Sequence, residues 1–249
     1  MMLALLFAAG ILAGFTNTLA GGGSLLVLPI MIFLGIPSPV ANATNRVALL
    51  FQNITGTIRF KQSGKLEVKP IIHITIAAIC GSIIGSIFAV KINSELFDKI
   101  LGFVFILILL LMFKPKPKSG NRKSLPKLVE IIIFFGVGLY GGFIQAGVGF
   151  IFLATLNLIE NYNLVKANAV KVFIVLCYTV FAVIVFAING MILWKYGLLL
   201  AIGNSIGAWL GVNFAVKKGE KFVRVVLTIA VIVSCLKLFG IFKLIGINL

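Results

Sequence analysis

The chain has 249 residues, 61% of them hydrophobic, with a mean hydropathy of +1.17 and a formal net charge of +16. That hydropathy excludes a soluble domain with one enclosed core, and apolar runs of helical spanning length predict an all-α polytopic membrane protein, not a barrel. The basic residues lie between the apolar runs and form no aromatic-interleaved face, so they read as positive-inside retention and not as a nucleic-acid surface.

No side chain from Met1 to Asn45 is ionisable. One helix from Leu3 to Leu34 would be roughly 50 Å long against a hydrocarbon core of about 30 Å, so the run must break. The break belongs near Thr16 to Ser24, because Gly21, Gly22 and Gly23 each cost about 1 kcal/mol relative to Ala inside a helix. Unwound backbone is tolerated at membrane depth only where it is buried in protein or lines a wet cavity, which makes the break a candidate site. The first 20 residues superficially resemble a signal peptide. They lack a basic start, and their tail belongs to a motif that recurs, so they are read as retained membrane structure.

The predicted segments are 3–17 and 24–34 around the break, then 44–60, 70–90 and 96–113. A second set follows at 128–145, 149–159, 169–188, 196–216 and 222–242. Between the sets, residues 114–127 hold six basic residues, three prolines and no acid, the composition of an extended cytoplasmic linker. The predicted units are therefore a first membrane repeat at 1–113, the linker at 114–127, and a second repeat at 128–249.

The two sets are copies. Ala20-Gly21-Gly22-Gly23 lies 126 residues before Ala146-Gly147-Val148-Gly149, and the same offset relates Ala41-Asn42-Ala43 to Ala167-Asn168-Ala169, Gly64 to Gly190, and Gly81/Gly85 to Gly207/Gly211. Paired glycine-broken apolar segments at matching positions of two halves are a transporter's sequence signature for its binding site. With the linker inside, the loop carrying Arg59, Lys61, Lys65 and Lys69 also falls inside, whereas its copy holds Lys195 alone. Conversely, residues 91–99 are nearly balanced and their copy carries Lys217, Lys218, Lys221 and Arg224 against Glu220. The opposite bias predicts halves inverted in the membrane, each with three full spans and one hairpin that enters and leaves on one face.

Two cations, Arg46 and Lys171, enter apolar territory just after the broken hairpins, where they either attract an anion or snorkel to the interface. Asn42 and Asn168 read as N-caps, whose helix ends would also aim amide donors at an anion. Gly21, Gly22, Gly23 and Ser24 would meet Gly147 and Gly149 across a pseudo-twofold. Around them lie uncharged polar residues: Thr16, Asn17, Thr18, Asn45, Gln52, Asn53, Gln145, Tyr178 and Thr179. Interhelical hydrogen bonding is their alternative role. Gly81-xxx-Gly85 and its copy favour close packing within the monomer, a homodimer interface being the other use of the pattern. His73 reads as interfacial. Cys80, Cys177 and Cys235 read as core packing and suggest no disulfide frame or metal site. All six acids fall at or near span ends, so no buried carboxylate is expected as a proton carrier. No phosphate-binding loop is present and no cofactor is implied. With one peripheral His and no buried acid, an intramembrane enzyme is disfavoured.

Together, Gly14…Ala20-Gly21-Gly22-Gly23-Ser24…Pro29, the Ala41-Asn42-Ala43-Thr44-Asn45 run, and Gly138…Gly141-Gly142-Phe143-Ile144-Gln145-Ala146-Gly147-Val148-Gly149 resemble the TauE/SafE family of sulfite and organosulfonate exporters over nearly the whole chain. The resemblance implies a multi-pass cell-membrane protein that moves small sulfur-containing or carboxylic anions, usually outward. Its paired motifs fall on Gly21, Gly22, Gly23 and Ser24 with Asn42, Asn45 and Arg46, and on Gln145, Gly147 and Gly149 with Asn168 and Lys171. This chain departs from the family pattern at Val148, within the second glycine run, and at Ala169-Val170 before Lys171, which leaves fewer donors in that half. The implied partners are a small anion and the bilayer, with a non-transporting accessory membrane subunit as the alternative role.

Overall fold

The computed structural model describes residues 2–113, 125–159, 162 and 164–214. Most of the predicted linker, the Lys217–Arg224 loop and the predicted span 222–242 lie outside the described residues. Among the described residues the chain is all-helical: α1 (Met2–Ala20), α2 (Ser24–Phe33), α3 (Ser38–Gln62), α4 (Ile72–Lys91, led in by a 3-10 turn at Lys69–Ile71), α5 (Ser94–Phe113), α6 (Lys127–Phe143), α7 (Val148–Ile159), α8 (Leu164–Ile188) and α9 (Trp194–Phe214). The bounds of α3 and α8 differ by the 126-residue offset at both ends.

The breaks fall where the glycines require them. Gly21 and its copy Gly147 are left-handed, with φ of 84° and 70°, and so are Gly64 and its copy Gly190, at 66° and 67°, just past the ends of α3 and α8. Only glycine holds that conformation without steric cost, so one backbone device ends equivalent helices in each half. Beyond the first break α2 runs back along α1, with Gly23 against Ala13 and the Asn17 side chain. With 10 residues α2 is roughly 15 Å long, too short to cross a bilayer.

Contacts between helices exchange between the halves. α1 packs along α9, and α6 along α4, each pair running parallel. Gly10 faces Leu200 and Gly203, Gly14 faces Asn204, and Gly211 faces Phe15 and Thr18. In the other pair Gly138 faces Ala78, Gly142 faces Ser82, and Gly85 faces Leu139 and Phe143. A β-carbon at Gly14 would lie 2.1 Å from the Asn204 carbonyl oxygen, and one at Gly142 2.1 Å from that of Ser82. The small-residue stripes are thus used inside the chain, where backbone-to-backbone approach replaces a hydrophobic driving force that lipid does not supply.

The core lies where the hairpins insert. Leu25, Val27, Leu28 and Met31 of α2 are buried with Phe97, Phe105 and Phe186, and a second cluster joins Phe134, Phe152, Leu156 and Tyr178. Large apolar side chains face outward on the surrounding helices, among them Phe88, Phe103, Ile132 and Ile188. Lys69–Lys91 and Val165–Ile188 are each long and apolar enough to span a membrane.

α3 and α8 begin about one turn before the predicted starts, which moves Asn42 and Asn168 into helix interiors. At α3 the cause is local: Pro37 stands at the cap and Pro39 in the first turn, where a fixed φ is pre-organised for a helix. Gly14→Ala and Gly142→Ala should each destabilise the detergent-purified protein by more than the 1–3 kcal/mol typical of overpacking, because backbone and not a flexible side chain blocks the methyl group. Gly136→Ala, inside α6 with nothing within 4 Å, should not lower the melting temperature and should raise it slightly through helix propensity. Thermal unfolding monitored by size-exclusion fluorescence checks all three.

Candidate functional site

The two breaks touch inside the bundle. A β-carbon on Gly21 would lie 2.5 Å from the Gly149 Cα, and one on Gly149 2.3 Å from the Gly21 Cα, so the tips meet backbone to backbone. Gly22, Gly23, Ser24 and Gln145 to Gly149 are all buried. Here α1 and α6 end while α2 and α7 begin, which brings helix-end carbonyls and helix-start amides to the tips; the turns satisfy part of them, as where Gly21 N–H donates to the Asn17 carbonyl and Val148 N–H to that of Gln145.

Side chains from the opposite half answer the carbonyls. Arg46, 0% exposed, donates from Nη1 to the Gly141 carbonyl and, at 2.9 Å, to Gln145 Oε1, and from Nη2 to the Gly142 carbonyl at 2.8 Å. Asn42 Nδ2 donates to the Phe143 carbonyl at 2.9 Å. On the other side Lys171 Nζ donates to the Asn17 carbonyl at 3.1 Å and to Asn168 Oδ1 at 2.7 Å. Asn17 and Phe143 are copies of each other, so each half's post-hairpin helix holds the carbonyl end of the other half's hairpin. The side chains are not copies: at the 126-residue offset Lys171 matches Asn45, and Arg46 matches Val172.

Gln145 is the strained member. It is the non-glycine residue with positive φ among the described residues, at 68°, and its Oε1 accepts from both Arg46 and, at 2.8 Å, the Tyr178 hydroxyl. Such backbone persists where the surroundings over-determine it, as a buried guanidinium and phenol do here. Tyr140 closes the turn by donating its hydroxyl to the Ala146 carbonyl. Phe186 lies under the guanidinium, 5.5 Å from ring centroid to Cζ. Arg46 Nε is buried and unpartnered, and Lys171 uses two of its three donors. Among the described residues no carboxylate stands within ion-pair distance of either basic group.

The first half adds a run of amides. Asn45 Nδ2 donates to Ser24 Oγ at 3.1 Å, and Gln52 Oε1 accepts from Asn17 Nδ2 at 3.1 Å and Asn204 Nδ2 at 3.4 Å. The Oδ1 atoms of Asn45 and Asn204 are buried without partners.

The predicted side chains fall into three bonded sets at the two hairpins: Asn42, Arg46 and Gln145 at the end of α6, Asn168 and Lys171 with Asn17 at the end of α1, and Asn45 with Ser24 at the start of α2. Gly23 instead packs on α1, and Gly147 on Ile108. Asn42 and Asn168 are not N-caps. Each lies inside its helix, and Asn42 reaches across to α6, because the helices start a turn earlier. Arg46 and Lys171 do not snorkel, since carbonyls inside the bundle take their donors. Thr16, Thr18 and Asn53 bond back to their own helices, at the carbonyls of Ala13, Gly14 and Leu49. One acid differs from expectation: Glu130 is buried, at 8% exposure, and accepts from or donates to His73 at 3.0 Å according to protonation. It still stands in the first turn of α6, remote in sequence from the tips. Asn204, Tyr140 and Phe186 were not among the predicted site residues. Asn204 had a signal, an amide interrupting the apolar run 198–203, whereas Phe186 had none.

Removing the Tyr178 hydroxyl should cost about 1 kcal/mol, the worth of one neutral hydrogen bond, and Arg46→Met at least about 2–3 kcal/mol, because three acceptors lose a charged donor. Thermal unfolding of Tyr178→Phe and Arg46→Met proteins in one detergent measures the difference.

Residues 6–238 match the family described as sulfite exporter TauE/SafE. The chain is 30% identical to a probable membrane transporter protein, ORF9, of a Sinorhizobium species, over 96% of this chain and 93% of that one. It is 28% identical to a probable membrane transporter protein of Haemophilus influenzae, over 90% and 89% of the two chains. It is also 26% identical to the probable membrane transporter protein YfcA of Escherichia coli K12, over 96% and 90%.

Proposed function

Because the chain belongs to the sulfite exporter TauE/SafE family, and is accordingly a membrane transporter and not an enzyme, we propose that it is a multi-pass cell-membrane protein that exports a small anion, sulfite or an organosulfonate or a related carboxylate, by alternating access between two inverted repeats. The repeats are residues 1–113 and 128–249, joined by a cytoplasmic linker at 114–127. The observation that carries the reading is the pair of deeply buried basic side chains, Arg46 and Lys171, beside the meeting hairpin tips, with no carboxylate among the described residues to balance them.

The physical argument concerns charge. A guanidinium is protonated at any relevant pH, and holding it in a low-dielectric interior against neutral carbonyls alone is costly. A small oxyanion beside it supplies the missing charge. The positive dipole ends at the beginnings of α2 and α7 favour the same sign. Arg46 Nε, the spare Lys171 proton, Ser24 and the amides of Asn17 and Asn45 are the donors for its oxygens.

Where the bonds cross supports alternating access. Arg46, Asn42 and Lys171 each tie a helix of one half to the hairpin of the other, so rocking the halves exchanges these contacts for contacts to the anion. The exchanged pairing of α1 with α9 and α6 with α4 means that each hairpin is held by a helix of the opposite repeat, and the opposite charge bias of the equivalent loops is what supports inversion. An inside-negative potential favours anion exit by about 2.3 kcal/mol per charge per 100 mV, which suffices for export without a coupled proton.

In proteoliposomes the purified chain should move sulfite outward faster under inside-negative potential. Lys171→Met and Arg46→Gln should each reduce flux at least tenfold, with Lys171→Arg restoring part of it. Undiminished flux in both loss variants removes the two residues from the site, and no flux from the purified wild-type chain alone points to the accessory-subunit reading.

A further inference from the structure

On the outer face of α4 and α6, away from the hairpin tips, lies a groove of about 500 Å³ lined by Ile76, Ala77 and Cys80 of one helix and Ile131 and Phe135 of the other, with His73 at one end. Its volume is that of a ligand-sized cleft, roughly 300–1,000 Å³. Helix packing explains why it exists. The close approaches between α4 and α6 run from Ala78 and Phe135 onward, through Gly138, Gly81, Gly142 and Gly85. Toward their N-termini α4 carries Ile and α6 Ile and Phe in place of glycine, and the helices are bridged there by His73 and Glu130.

The equivalent seam between α1 and α9 stays closed further out, because Gly10 and Gly203 continue its glycine contacts. The copies of His73 and Glu130 there are Leu199 and Ala4. The groove and its polar mouth therefore belong to one side of the molecule and are no consequence of the repeat.

At the mouth the charges are unequal. Glu130 is turned inward onto His73, its side chain 10% exposed, whereas Lys69 and Lys127 are exposed one turn outward, four residues before His73 and Ile131. Leu128 and Ile132 continue the apolar border and are 68% and 61% exposed. An apolar slot on the outward, hydrocarbon-facing surface, ending in two exposed lysines, matches a molecule with a long apolar tail and an anionic head.

The geometry points to a binding site for one acyl chain of an anionic phospholipid between the first halves of α4 and α6, its phosphate between Lys69 and Lys127. The lysines select headgroup charge, and the groove holds the chain. Because α4 and α6 come from different halves of the sequence, the bound lipid bridges both.

The test places a fluorophore in the groove through Phe135→Trp, with Trp194→Phe and Trp209→Phe as background, in nanodiscs of phosphatidylcholine doped with brominated-chain phosphatidylglycerol or, equally, brominated-chain phosphatidylcholine. The phosphatidylglycerol should quench at about fivefold lower mole fraction per participating lysine at low salt. Lys69→Ala with Lys127→Ala, both surface changes that leave the helix pair intact, should abolish the preference while leaving quenching at the phosphatidylcholine level. Ala77→Leu, which fills the groove, should reduce quenching by both lipids. Equal quenching by the two lipids in the parent protein, a preference that survives loss of both lysines, or no quenching by either lipid overturns the assignment.

Discussion

Everything in this molecule depends on what happens to backbone groups when a helix stops inside a membrane. A helix that ends at the surface gives its last carbonyls to water, but α1 and α6 end where water is not the default partner. The chain answers with side chains borrowed across the repeat: Arg46 and Asn42 on α3 take the carbonyls of Gly141, Gly142 and Phe143, and Lys171 on α8 takes that of Asn17. The same basic groups that satisfy the ends also charge the interior. Stability and the proposed anion recognition therefore rest on one set of atoms, since on that proposal an anion competes with backbone carbonyls for donors already in place.

That arrangement needs rigid surroundings, which the glycine seams supply. Where two helices approach so closely that a methyl group would meet a carbonyl carbon or oxygen, neither slides without opening the seam. α1 with α9, and α6 with α4, are thus coupled pairs, each carrying one hairpin. The contacts at the tips are of a different kind, being single hydrogen bonds from long side chains to carbonyls plus one glycine-to-glycine touch. Motion within the molecule is expected at the tips and not along the seams, because exchanging hydrogen-bond partners costs far less than breaking interdigitated backbone.

Duplication provided the frame, and divergence within it provided the chemistry. Although the left-handed Gln145 has a helical copy in Leu19, copy-related glycine devices survive, such as the left-handed pairs Gly21 with Gly147 and Gly64 with Gly190. Copy-related side chains do not: Gln52 faces Asn17 and Asn204 while its counterpart Tyr178 faces Gln145. Backbone conformation is set by residues without side chains, which leave little to vary. A site between two unlike halves is free to be asymmetric, and here the first half offers amides and a guanidinium, the second an ammonium and a strained glutamine.

The all-helical class, the two breaks, the 126-residue repeat and nearly all of the gathered polar residues were legible in the chain, because apolar runs of fixed length, consecutive glycines and isolated polar residues in lipid-compatible segments each carry a strong local penalty or preference. The caps were not. Asn42 and Asn168 carry a helix-start signal, but two prolines upstream start α3 earlier, and only the crossing of α3 over α6 gives Asn42 its partner. Glu130 lies near a helix start, as its position suggested, yet its burial depends on His73 arriving from α4. Asn204, Tyr140 and Phe186 join the site through contacts between segments far apart in the chain. What the amino-acid order determined by itself is where the chain is helical, where it breaks and that it repeats. Tertiary structure alone decided which half's side chains satisfy which half's helix ends, because a buried carbonyl bonds whatever donor the packing brings within 3 Å and no local pattern records that meeting.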